Sequence, residues 1–264
     1  MRTTITREGT GPVVSARRLV LVHSAREMAI VLAIYVAYSA VRSLSGDAAQ
    51  EAVARAQDII HFEMNWGIDW EPDIQSWTLG YKPLVHVANF VYFWLHLPLL
   101  LVFAPWMFFR SRKDFNFLRN VWVTSQLIGI FFFLLYPVAP PRLLPSGYGF
   151  VDTLTMQGPF DYTSAEAGVL MNKYAAFPSL HFAWSFIIAV GLCRTLPWRW
   201  ARTAVLAFPL LSFWAIVATA NHYVADALAG GVVAAASFAL AVAGERLWRA
   251  YRLRRQAGEA ALDA

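Results

Sequence analysis

Two short stretches of this chain place ionisable side chains where chemistry could use them. In NKYAAFPSLHFAWSFIIAV, Pro178, Ser179 and His181 stand at the mouth of a strongly apolar run. In TANHYVADALAGG, His222 precedes Asp226 by four residues. On a helix that spacing puts imidazole and carboxylate on one face. Asp226 then accepts a hydrogen bond from one ring nitrogen and leaves the other free as nucleophile or base. Ionisable groups at lipid depth are rare and point to function, although an isolated HxxxD pair also serves as polar glue between membrane helices.

The neighbouring residues favour chemistry on an anion. Proline suits the first turn of a helix, so FPSLH reads as a helix start with Pro178 in that turn. The free N–H groups and positive dipole end of such a terminus bind anions. Arg142 lies in PVAPPRLLP, whose prolines stiffen the backbone, and Lys173 stands a few residues before the helix start. A cradle of Arg142, Lys173 and Ser179, a nucleophilic His222 oriented by Asp226, and His181 for acid–base work are the equipment of phosphoryl transfer. No Gly-rich nucleotide loop is present, and this route calls for neither metal nor cofactor. Two other readings stay open. His181, His222 and Asp226 could be the ligands of a metal hydrolase. A transporter of phosphate-bearing lipids would keep the cradle without needing a nucleophile, though no matched pair of broken helices or inverted repeat speaks for it.

These groups can meet only if the elements between them bring one end of several helices together. The 264 residues are 58% hydrophobic and 15% charged and include 11 tryptophans, too apolar for a water-soluble domain. Six stretches come near the roughly 20 residues that cross a bilayer: 27–44, 84–109, 119–137, 179–195, 203–220 and 224–244. The expected fold is an all-α integral membrane protein, a six-transmembrane-helix bundle with short interfacial helices in the outer loops. It is read as a single membrane domain over 1–264, with a cytoplasmic leader at 1–26, a catalytic core at 27–247 and a basic tail at 248–264. The first span is read as an uncleaved helix, since no clean small-residue cleavage site follows it.

Cations set the orientation. Arginines and lysines crowd the leader, the connection 110–119, the connection 194–202 and the tail, which are alternate connections. The positive-inside rule then puts both termini in the cytoplasm, and His181 and His222 both fall at the outer side of a multi-pass cell-membrane protein. The net charge of +5 and pI near 9.5 follow from these basic ends, which attract anionic lipid head groups. No nucleic-acid partner is needed to explain them, and nothing in the sequence points to a protein partner. The single cysteine, Cys193, excludes an intramolecular disulfide and a cysteine metal cluster.

Two outer loops are unusual. From Ala48 to Trp77, acids alternate with Ile59, Phe62, Met64, Trp66, Trp70 and Trp77, a composition suited to interfacial helices that either anchor the fold or gate lipid. The loop from Val138 to Phe177 is long enough to be functional. Within it, Asp152, Asp161, Glu166 and Asn172 could meet a head group, although loop polarity alone explains them. Of the remaining histidines, His23 and His61 read as solvated or interfacial, and His86 and His96 as hydrogen-bond partners of a neighbouring helix. Ala225, Ala229, Gly230 and Ala234 give the sixth helix a small-residue face for close packing.

Taken together, APPR at Ala139 to Arg142, AAFPSLH at Ala175 to His181 and NHYVAD with its downstream GG at Asn221 to Gly231 resemble the type 2 phosphatidic acid phosphatase superfamily. In spelling they look most like the branch containing inositol phosphorylceramide synthase. The resemblance implies a six-helix core with an outward-facing site, and a lipid phosphate ester donor whose phosphoryl or phospho-head group passes to an alcohol or to water through a phosphohistidine. A simple phosphatase of polyprenyl or phosphatidyl phosphate is the nearest alternative. Two positions depart from the superfamily pattern: Leu135 and Ile216 stand where it has a lysine and an arginine. Both changes remove cations that hold a doubly charged monoester, which makes a phosphodiester donor the better fit.

Overall fold

Hydrophobic pattern and proline positions divide the described residues into helices and the segments that connect them. A computed structural model describes residues 16–44, 48–157 and 172–262, and among these it contains eleven α-helices, two 3-10 turns and no strand. Asp161 and Glu166 lie outside the described residues. The helices are α1 (Ala16–Leu44), α2 (Ala49–Trp66), α3 (Glu71–Leu79), α4 (Lys82–Trp94), α5 (Leu97–Arg110), α6 (Arg112–Leu135), α7 (Thr153–Gln157), α8 (Leu180–Thr195), α9 (Arg199–Val205), α10 (Ala207–Ala218) and α11 (Val224–Leu262).

The expected spans appear in altered form. Among the described residues, four stretches are long and apolar enough to cross a membrane: Val20–Ser43, Arg112–Leu135, Arg199–Ala218 and Val224–Glu259. The stretch expected as one helix over 84–109 is instead two, α4 and α5, bent by 46°. The break falls at Leu95 and His96, because Pro98 has no amide to bond the Trp94 carbonyl as a continuous helix would require, whereas in the first turn of α5 that amide is not needed. If that pair is one span the count rises to five. The apolar α8 has 16 residues, about 24 Å of helix.

Helix ends also differ from the reading. Helix α1 begins at Ala16, inside the expected leader, because no glycine or proline interrupts the sequence there. At the other end α11 continues to Leu262 through the expected tail, its exposed turns laced by Arg249–Glu245 and Arg255–Glu259 pairs four residues apart.

Helix α11 packs against α6 and α8, α6 against α1 and α8, and α10 against α4 and α8. At one end of this arrangement Ser111 caps α6 by accepting from the Asp114 amide, and Asp114 pairs with Arg194 at 2.8 Å. Nearby, Glu27 of α1 holds Arg119 of α6 at 2.7 Å. The candidate residues gather at the opposite end, where α8 and α11 begin.

Helices α2 and α3 do not qualify as spans. They form a bracket around the start of α11. Gly67 ends α2 with φ +64, a left-handed conformation that glycine adopts freely, and its amide closes onto the Glu63 and Met64 carbonyls. The bracket is two-faced: Phe62, Met64, Trp66, Trp70 and Trp77 are exposed, while Glu63, Glu71, Gln75 and Thr78 are buried. The acids Glu63 and Glu71, which belong to the acidic outer loop of the sequence, are therefore part of the interior.

Candidate active site

The site is assembled from three turns stapled together by backbone hydrogen bonds. The segment after α6 lies beside the segment before α8, with the Val138 amide donating to Tyr174 O at 2.8 Å and the Ala176 amide to Val138 O at 3.3 Å. The Arg142 amide donates to Ala220 O at 2.9 Å, which ties the proline loop to the turn carrying His222. The Ser179 amide donates to Asp226 O at 3.0 Å, tying the start of α8 to the first turn of α11.

Helix α8 starts at Leu180 with Ser179 as its N-cap, whose hydroxyl accepts from the Phe182 amide at 3.3 Å. Pro178 consequently stands before the cap rather than inside the first turn as expected, joined to Phe177 by a cis peptide bond. Ser179 is fully buried, so its hydroxyl acts on the helix it begins. His181 is the second residue of the helix.

Close approach of α11 makes this junction. A Cβ on Gly230 would lie 2.3 Å from the Ser179 carbonyl oxygen, so no larger residue fits between the two helices without moving backbone. The small-residue face expected on this helix thus meets the cap of α8.

The two histidines face each other. His222 Nε2 lies 3.4 Å from His181 Nδ1. His222 Nδ1 lies 2.9 Å from the Ala176 carbonyl oxygen and 3.3 Å from Asp226 Oδ2. A carbonyl only accepts, so the neutral ring carries its proton on Nδ1 and leaves the Nε2 lone pair toward His181. The sequence expectation gave this role to Asp226 alone; the nearer acceptor is a backbone carbonyl, which spacing cannot reveal. Asp226 Oδ2 also accepts from the Tyr223 amide at 2.9 Å.

His181 is half-buried, stacked on Tyr92 with ring centroids 4.8 Å apart and set edge-on to His96 at 4.8 Å. His96 is buried and bonded through Nε2 to Ser212 of α10 at 2.8 Å, as a bridging histidine would be. His86 differs from the expectation: it is exposed on α4 instead of turned to a neighbouring helix.

Arg142 reaches the same turn. Its Nε donates to Asn221 Oδ1 at 2.9 Å, and one terminal nitrogen lies 3.4 Å from Asp152 Oδ2. Asp152 is itself fixed by the amides of Leu154 and Thr155, both at 3.1 Å. Lys173 is exposed on the turn before Ala175, and the structure does not bring it into contact with Arg142 or the histidines. Leu135, at the end of α6, is exposed, and its carbonyl accepts from Arg55 at 3.0 Å. Ile216 is buried, and its carbonyl receives the amides of Asn221 and His222, both at 3.1 Å.

Three consecutive amides at the start of α11 are each taken by a carboxyl group. Tyr223 N donates to Asp226 at 2.9 Å, Val224 N to Glu71 at 2.5 Å and Ala225 N to Glu63 at 2.7 Å. Burial first, and then neighbouring Glu71, push the Glu63 carboxyl up to about 9. Burial raises Glu71 as well. Tyr223 is fully buried beneath the turn, its hydroxyl donating to Ala139 O at 3.0 Å, and burial pushes its phenol upward too. Sequence reasoning missed Glu63, Glu71, Asn221 and Asp152 as partners of this turn. Asn221 had a signal in its position beside His222; the glutamates lie more than 150 residues away and had none beyond being acids amid apolar neighbours.

The sequence model of the PAP2 superfamily matches residues 57–240. The chain belongs to the PAP2 superfamily. The matched region contains every candidate site residue, and superfamily membership gives the chain a lipid phosphatase-type enzymatic function. No curated protein and no solved structure matches the chain. Among the described residues, no three His, Cys, Asp or Glu side chains are grouped as a ligand set for a metal ion.

Proposed function

We propose that this PAP2 superfamily protein moves a phosphoryl or phospho-head group from a lipid phosphate ester to an alcohol or to water through a phosphohistidine on His222. The observation that carries the reading is the pairing of His222, whose Nδ1 is committed to Ala176 and Asp226, with His181 at 3.4 Å from its free Nε2. In the first step His222 Nε2 attacks phosphorus, the bond from phosphorus to the departing lipid oxygen breaks, and protonated His181 gives that oxygen its proton. Asp226 stabilises the positive charge that grows on the imidazole. In the second step water or an alcohol attacks phosphorus, His181 takes its proton, and the phosphorus–nitrogen bond breaks.

Arg142 and the leading amides of α8 stabilise the equatorial oxygens. Ser179 shapes that helix terminus, and exposed Lys173 adds positive charge at the rim. The exposed aromatic face of α2 and α3 lies in the membrane interface. Counting the bent α4–α5 pair and α8, the bundle crosses the cell membrane six times, with both termini cytoplasmic and the site outside. Leucine at 135 and isoleucine at 216 leave fewer cations for the phosphate. An inositol phosphodiester with an alcohol acceptor, as in the inositol phosphorylceramide synthase branch, therefore fits better than a doubly charged monoester.

The test is turnover by purified protein in detergent of labelled lipid phosphate monoester and inositol phosphodiester, each with and without a long-chain alcohol and a chelator. Transfer from the diester to the alcohol, surviving chelator, supports the reading. Release of inorganic phosphate from the monoester alone makes the protein a simple phosphatase, and loss of turnover in chelator overturns the metal-independent mechanism.

A further inference from the structure

The interior of the outer bracket contains a group of acids that the phosphoryl-transfer scheme does not use. Glu63 on α2 and Glu71 on α3 are 1% and 2% exposed. Each accepts from one amide of the first turn of α11, and Asp226, fully buried, accepts from the amide before them. The other Glu63 oxygen, Oε2, is buried with no donor reaching it. Glu71 and Asp226 act on Glu63, and Asp69 and Glu63 act on Glu71, all of them acidic; the Tyr223 phenol feels both glutamates as well.

Like charges this close cannot all be ionised in a buried site. A proton on Glu63 removes one charge and lets its side chain donate to Glu71, with which it pairs. Both Oε1 atoms stay free to accept the α11 amides. The three acids then fix residues 223 to 225, directly after His222, while the Asp226 carbonyl receives the Ser179 amide.

We propose that Glu63 and Glu71 are positioning residues: as a buried pair sharing one proton, they clamp the first turn of α11 and thereby hold His222 in line with His181. The inference rests on the reading of His222 as the nucleophile. A carboxyl raised in the folded protein binds its proton more tightly there than in the unfolded chain. Its contribution to the clamp is therefore largest at low pH, declines as pH rises from the ordinary carboxylate range, and is gone above about 9. Above that pH two or more charges repel across the turn.

The test uses the full chain in detergent, with infrared spectra and steady-state kinetics recorded from pH 7 to pH 10 on wild type and on Glu63→Gln, Glu63→Ala, Glu71→Gln and His222→Ala. Wild type should show a protonated-carboxyl carbonyl band that bleaches with a midpoint near pH 9, together with a fall in kcat at unchanged KM. The amide of Glu63→Gln keeps a donor toward Glu71, so this variant should lack the band, keep kcat within about threefold and lose the alkaline fall. Glu71→Gln should move the midpoint downward, because the like charge is gone. Glu63→Ala, which frees the Ala225 amide, should lower kcat on the order of 10²-fold. An absent band in wild type, or an alkaline fall that persists in Glu63→Gln, overturns the proton-sharing clamp. A band that disappears as expected while His222→Ala stays active overturns the reading of His222 itself, and with it the role given to the pair.

Discussion

The amide of Ser179 donates to the carbonyl of Asp226 at 3.0 Å, so the residue that caps α8 and the residue behind His222 are joined backbone to backbone. Two helix starts distant in sequence thereby form one rigid corner, and the distance between the imidazoles of His181 and His222 is set by main chain as well as by side-chain rotamers. Changes at this corner should show up in kcat.

Asp226 is the most direct case. Its Oδ2 holds the Tyr223 amide and faces His222 Nδ1, while Ala176 O keeps the same nitrogen oriented. Asp226→Asn therefore leaves the ring in place but removes the charge opposing a growing imidazolium. Steady-state kinetics on a lipid phosphate ester should show kcat lowered on the order of 10²- to 10³-fold with KM nearly unchanged.

The helix contact at Gly230 predicts a sharp contrast between neighbours. A Cβ there meets the Ser179 carbonyl oxygen at 2.3 Å, whereas one on Gly231 meets only Phe182 Cε1 at 3.5 Å. Gly230→Ala should destabilise the protein by about 1–3 kcal/mol, the usual range for overpacking, and depress kcat; Gly231→Ala should be close to neutral. Thermal unfolding in detergent alongside turnover distinguishes them.

Arg142 is held by Asn221 and Asp152 in a geometry that only a guanidinium satisfies. Arg142→Ala should lower kcat/KM on the order of 10²- to 10³-fold, and Arg142→Lys should recover little of it. Asn221→Ala, which frees the Arg142 Nε, should lie between wild type and Arg142→Ala in the same assay.

What the sequence disclosed follows from range. His222 and Asp226 were legible because their relation is one helical turn, and His181 because it stands at the start of an apolar run. The Ala176 carbonyl that fixes the His222 tautomer belongs to the backbone, which any residue supplies, so no pattern marks it. Glu63 and Glu71 had no mark in the sequence because their burial arises from bringing α2 and α3 against the start of α11. Apolar runs located most of the long helices. They missed the bend at His96 because hydropathy averages over it, although Pro98 marked the spot.

The central claim is covalent chemistry on His222, and trapping the intermediate tests it most directly. Purified wild-type protein mixed with a lipid phosphate ester labelled at phosphorus, quenched in base and digested, should yield an acid-labile, base-stable label on the peptide containing His222. The label should be absent from His222→Ala and should accumulate in His181→Ala when the leaving group departs without a proton donor. Full turnover in His222→Ala, or label on another residue, would contradict the account.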